Sequence, residues 1–195
     1  IISASADDDK INWYENTTAA PGTPTFTAAT IPTALDDPRS IYAVDLDQDG
    51  DMDILAASWA EDEITYFEND PSSNAKYVAH NTNASQDAPT SVFAIDFDAD
   101  GDIDFLASSE NDDKIVWYEN NGSQSFTART IATDADGAMD VYAVDLDRDG
   151  DIDVLSASFN NDEIVWYRNI GSVSSGFESR SITTSADGAS SVYAI

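Results

Sequence analysis

Three nine-residue acidic runs are the part of this sequence best equipped for chemistry: DLDQDGDMD at 45–53, DFDADGDID at 96–104 and DLDRDGDID at 145–153. Each sets carboxylates at loop positions one, three, five and nine, with a glycine at position six, where the chain must bend sharply to bring them together. Hard divalent cations bind oxygen, and calcium takes about six to eight oxygen ligands at about 2.3–2.6 Å. The expected side-chain ligands are Asp45, Asp47, Asp49 and Asp53 in the first loop, and Asp96, Asp98, Asp100 and Asp104 in the second. In the third loop they are Asp145, Asp147, Asp149 and Asp153. Asp51, Asp102 and Asp151 are expected to offer backbone carbonyls, next to the bends at Gly50, Gly101 and Gly150. Five aspartates within nine residues repel one another strongly unless a cation sits among them. Three Ca2+ sites of structural character are therefore expected. Magnesium suits the loops less well, because it keeps an octahedral shell with several waters. An EF-hand opens the same way but closes on a bidentate glutamate between helices. The matching positions here hold Ala56, Ala107 and Ser156, so that reading fails.

Little else in the chain suggests catalysis. His80, the single histidine, aligns with Ala29, Arg129 and Arg180 of the other repeats, and no Ser-His-Asp arrangement can be built around it. Asp9, Asp62, Asp113 and Asp162 recur just ahead of a strand pattern and read as turn residues. The absence of cysteine excludes disulfides, thiolate catalysis and zinc–cysteine sites. Trp59 and Phe159 stand where the other repeats have Ala6 and Glu110. Exposed aromatic residues at such variable loop positions are candidate ligand contacts, since they stack on sugars or anchor protein partners. The alternative is that both rings cover neighbouring strands. Trp13, Trp117 and Trp166 recur in register and are expected in the core.

These residues must be positioned by a repeating unit. The segment INWYEN at 11–16 returns as ITYFEN at 64–69, IVWYEN at 115–120 and IVWYRN at 164–169. A second marker, SIYAV at 40–44, returns as SVFAI at 91–95, DVYAV at 140–144 and SVYAI at 191–195. Each repeat reads as four short strands rich in Val, Ile, Tyr, Phe and Trp, separated by clusters of Gly, Asp, Asn and Ser. The acidic loop falls between the first strand and the second. Strands apolar on both faces need a covering layer on each side, which stacked blades supply. The expected organisation is one all-β domain over 1–195, a β-propeller type built of four-stranded blades. Blades are expected at 36–86, 87–136 and 137–189, with a fourth split between 1–35 and 190–195. A linear β-solenoid is the competing architecture, but its turns usually have shorter periods.

The combination of D-x-D-x-D-G-D-x-D, I-x-W-Y-E-N and S-V-Y-A-x resembles the FG-GAP/VCBS repeat family, whose calcium loops also occur in integrin-α propellers. The resemblance covers essentially the whole chain. It implies a propeller on a secreted or cell-surface protein, usually with more blades than the four equivalents present here, and calcium in the loop joining the first two strands of a blade. Charge points the same way. With 38 acidic against 8 basic side chains, a formal charge of −30 repels phosphate backbones and anionic lipid, so nucleic acid is excluded as a partner. No apolar run approaches the ~20 residues of a membrane span, so membrane insertion is not expected either. The expectation is a non-enzymatic, calcium-binding extracellular module that binds a glycan or a protein. Two alternatives remain open: the propeller part of a secreted carbohydrate-active lyase or hydrolase, and a half-propeller that closes a ring as a homodimer.

Overall fold

The computed structural model describes residues 1–18, 22–73, 76–171 and 176–195, and every regular element among them is a strand. The first sheet has three strands, β1 (Ile2–Ser5), β2 (Lys10–Asn16) and β3 (Phe26–Ile31), in the order β1-β2-β3. The second has four, β4 (Pro38–Val44), β5 (Asp53–Ser58), β6 (Glu63–Asn69) and β7 (Tyr77–Ser85), in sequence order. The third repeats this with β8 (Pro89–Ile95), β9 (Asp104–Ser109), β10 (Lys114–Asn120) and β11 (Phe126–Ala132). The fourth comprises β12 (Ala138–Val144), β13 (Asp153–Ser158), β14 (Glu163–Asn169) and β15 (Phe177–Thr183). All neighbours pair antiparallel, as short connections require.

The two-faced apolar strands do what their pattern demands. Leu55 and Ala57 of β5, with Ile64 and Tyr66 of β6, meet Val92, Phe105, Val116 and Tyr118 of the third sheet in one core. On the opposite face of β10, Ile115 and Trp117 join Val141, Val154, Val165 and Tyr167 of the fourth sheet. Ile54, Ala56 and Phe67 turn back to Ile11 and Ile31 of the first. Side-chain alternation thus places consecutive residues of one strand into two different cores. The sheets stack in series like blades, each buried by its neighbours. The described residues form no closed ring.

Inner strands are tied across the stack by an aromatic ladder. Tyr42, Phe93, Tyr142 and Tyr193 lie with successive ring centroids 5.1, 4.9 and 4.8 Å apart. Polar ties accompany it, for Asp140 accepts hydrogen bonds from the Ser91 hydroxyl, the Ser191 hydroxyl and the Val192 amide.

Among the described residues β1 pairs with β2 alone, and residues 190–195 are part of no sheet. The segment runs beside β12, held by Asp140 and by the Tyr142–Tyr193 contact, and belongs to no sheet. Side-chain anchoring seats it there, but a strand also needs a backbone ladder.

Candidate metal centres

Each acidic loop joins the innermost strand of its sheet to the next: β4 to β5, β8 to β9 and β12 to β13. The loops fold alike because their own hydrogen bonds shape them. In the first, the Gly50 amide donates to Asp45 Oδ2 at 3.1 Å, Asp49 N to Asp47 Oδ1 at 3.2 Å and Asp51 N to Asp49 Oδ1 at 2.9 Å. The second repeats all three bonds at 3.2, 3.2 and 2.8 Å. The glycines have φ near +100°, which only glycine adopts without strain, and this turns the run back on itself.

Position nine is the anchor. Asp53, Asp104 and Asp153 are at most 1 % exposed, each the first residue of its strand. One oxygen of Asp104 accepts from Asn120 N at 2.7 Å; the other accepts from Phe97 N at 3.2 Å and Trp117 Nε1 at 3.0 Å. Asp53 and Asp153 make the matching backbone bonds with Asn69 and Leu46, and with Asn169 and Leu146. The Asn that ends β6, β10 and β14 is thereby explained: its amide holds the anchor, and its side chain donates to the carbonyl of Met52, Ile103 or Ile152.

Carboxylate oxygens converge in all three loops. Asp45, Asp47 and Asp53 bring ligand atoms within 4.8 Å of one another, as do Asp96, Asp98 and Asp100, and Asp145, Asp147 and Asp153. These nine residues are among the fifteen that the sequence singles out. Asp49, Asp104 and Asp149 lie in the same loops but outside those closest groupings. The side chains of Asp102 and Asp151 lie beside Gly122 and Gly171.

The electrostatics fit a hard cation. Asp45 Oδ1 and Asp96 Oδ1 are buried without a hydrogen-bond partner, a costly state for an anionic oxygen and one that a metal relieves. Burial lifts the carboxyls of Asp47, Asp53 and Asp98 above the usual range and that of Asp104 to about 6. Asp147 moves the other way, because a hydrogen bond from Arg168 favours its charged form.

Beside the loops, Phe97, Asp98 and Ala99 of the second and Gly150, Asp151 and Asn169 of the fourth sheet line a cleft of about 330 Å³. The equivalent place between the first and second loops is bridged, since Gln48 Nε2 donates to the Gly101 carbonyl at 2.5 Å. Ala99, which occupies the Gln48 position of its own loop, is too short to do the same.

The two candidate ligand-contact aromatics lie at the opposite ends of the strands. Trp59 is half-buried, its Nε1 donating to Glu110 Oε2 at 2.8 Å and the Arg39 guanidinium lying 4.6 Å over its ring. Phe159 is 50 % exposed, with its ring against Gly188. Both therefore reach to a following repeat while retaining open surface. At the same ends stand groups whose role the sequence did not reveal. Asp62, Asp113 and Asp162 have φ of 54–58°, and each accepts, at 2.9 Å, a backbone hydrogen bond from the next repeat: Ala88, Gly137 and Gly188 respectively. Asp9 does the same with Asp37 N at 3.1 Å. Their recurrence ahead of the third strand was the available signal.

Stacked antiparallel sheets carrying the same aspartate loop between the first and second strands define a blade-type β-repeat protein with candidate metal loops. The FG-GAP-like repeat family matches the chain at residues 1–56 and 96–156, and the chain belongs to that family. No curated protein matches it. Among solved structures it is similar to a lectin of Agrocybe aegerita, described as specifically recognising non-reducing terminal N-acetylglucosamine. The TM-score is 0.55 at 17% identity, over 86% of this chain and 46% of the lectin chain. The chain thus spans about half the length of that structure.

Proposed function

We propose that this chain is a calcium-binding extracellular β-propeller module, non-enzymatic, that presents a glycan-binding or protein-binding surface. The observation that carries the reading is the convergence of carboxylate oxygens in three equivalent loops, with Asp45 Oδ1 and Asp96 Oδ1 buried and unpartnered. Oxygen-only donors suit Ca2+ over softer metals. In these loops the ion would bind Asp45, Asp47 and Asp53, or Asp96, Asp98 and Asp100, or Asp145, Asp147 and Asp153, and neutralise the hairpin that joins the first two strands of the sheet. It would be structural. Supporting the non-enzymatic reading, the single histidine, His80, is stacked on Tyr66 and bonded to Glu68.

The glycan arm is supported by the likeness in fold to a lectin and by the cleft between the second and third loops, whose mixed apolar and carboxylate lining suits a sugar's faces and hydroxyls. The test is thermal unfolding in chelator and across a calcium titration, followed by glycan-array screening in saturating calcium. A site filled to 100 times its dissociation constant adds about 2.7 kcal/mol. Each such site raises the melting temperature of a domain this size by about 5–10 °C. An unchanged melting temperature, or an equal rise with magnesium, sinks the calcium assignment. An array with no hit leaves the protein-binding arm as the one to pursue.

A further inference from the structure

The third acidic loop differs from the other two in charge and in hydrogen bonding. At the residue before the anchoring asparagine, the repeats carry Glu15, Glu68, Glu119 and then Arg168. Arg168 reaches into the loop: its Nε lies 2.5 Å from Asp147 Oδ2 and a terminal nitrogen lies 2.9 Å from Asp149 Oδ2. These carboxylates hold loop positions three and five, among the side chains expected to ligate an ion. The loop also contains Arg148, where the first two have Gln48 and Ala99. Five aspartates and Glu68 give the first loop and its neighbour a formal charge of −6; five aspartates with Arg148 and Arg168 give the third −3. In the second, Glu119 is paired with Arg129, and no basic side chain is bonded to the loop's aspartates among the described residues.

Hydrogen bonding varies with the charge. Asp45 Oδ1 and Asp96 Oδ1 are buried and unpartnered, whereas Asp145 Oδ1 accepts from Asp149 N at 3.1 Å. The first two loops keep an anionic oxygen in want of a cation, and the third has satisfied the equivalent oxygen internally.

We propose that Arg168 is a built-in counter-cation of the third loop, so that the chain holds calcium tightly in the first two loops and keeps the third folded with little dependence on it. The proposal rests on the calcium reading above. A guanidinium is well suited to this role, since it never loses its charge and its fork can bond neighbouring carboxylates together. It then opposes a divalent ion twice, by repulsion and by engaging two ligands. Exchanging a glutamate for an arginine about 6 Å from a divalent ion, in a water-like dielectric, weakens binding about 100-fold at low salt. The chain therefore has two tight calcium sites, not the three its loop count suggests.

Isothermal titration of the calcium-stripped chain at low ionic strength, with far-UV circular dichroism to check folding, tests this. The expected isotherm has two tight equivalents and a third at least about 100-fold weaker. Arg168→Glu, which recreates the residue of the other repeats, is expected to bring the third site into the tight class; Arg168→Gln is expected to give an intermediate affinity. Glu68→Arg should convert the first loop and leave one tight site. Three equivalent sites in the unaltered chain, or a folded Arg168→Glu that still binds two, overturns the role of Arg168 while leaving the calcium reading intact. Absence of any calcium binding overturns that reading and this proposal with it.

Discussion

Asp113 offers the sharpest test of how the sheets are held together, because it lies at the opposite end of β9 from the acidic loop and its effect is separable from metal. Its φ is 54°, and its Oδ1 accepts the amide of the buried Gly137, which enters the next sheet, at 2.9 Å. Its own carbonyl accepts from Ala135 N at 3.1 Å. Replacing Asp113 with Ala removes a charge-assisted hydrogen bond to a buried donor, about 1.5–3 kcal/mol, and forces an ordinary residue into the left-handed region, about 1 kcal/mol more. Asp113→Ala is thus expected to cost about 3 kcal/mol. Asparagine keeps both an acceptor oxygen and tolerance of positive φ, so Asp113→Asn should cost about 1 kcal/mol, the difference between a charged and a neutral acceptor. The assay is urea unfolding of both variants in saturating calcium. With a slope of about 2 kcal/mol per molar urea, the alanine midpoint drops by about 1.5 M. If the alanine variant falls within 0.5 kcal/mol of the parent, or the two variants are equally damaged, neither the inter-sheet bond nor the backbone strain has the weight assigned here.

Two further outcomes are expected. Without calcium, the buried Asp104 keeps a proton up to about pH 6, where the unfolded chain has released it near its ordinary value. Folded Asp104 binds the extra proton, so chelated protein gains stability as pH falls from 7 toward 4 and loses it as pH rises through about 6; Asp53, also raised by burial, adds in the same direction. Calcium favours the ionised forms, so saturating calcium should abolish or reverse this slope in pH-dependent melting curves. Leu106→Ala, at a site with no exposure in the core between the third and fourth sheets, should cost about 2–5 kcal/mol by chemical unfolding. A smaller loss would mean that this core relaxes to refill the cavity.

Much of the architecture was legible because it is local. The alternation in residues 115–118, apolar on both faces, required cover on both sides, and the structure buries Ile115 and Trp117 against one sheet and Val116 and Tyr118 against another. The acidic loops were legible for the same reason: the glycine and the aspartate spacing determine how the chain bends over a few residues. Their hydrogen bonds then recur almost unchanged in all three. Even Arg168 was visible as the one departure from E-N in four repeats, though its spacing said nothing of what it would touch.

What tertiary structure decided is how one repeat meets the next. Asp62, Asp113 and Asp162 read as turn residues, yet each bonds the backbone of the following repeat. Trp59 read either as a ligand contact or as cover for neighbouring strands, and only the packing of repeats brings Glu110 and Arg39 to it. Residues 191–195 match β4, β8 and β12 in sequence but join no sheet among the described residues. The reason is physical: a repeat pattern specifies backbone path and facing direction within a unit, because both follow from bond geometry and side-chain alternation. The stagger between units comes from packing of two separate apolar faces. That packing alone decides which side chain reaches across, which carboxylate finds a cation, and which oxygen is left waiting for one.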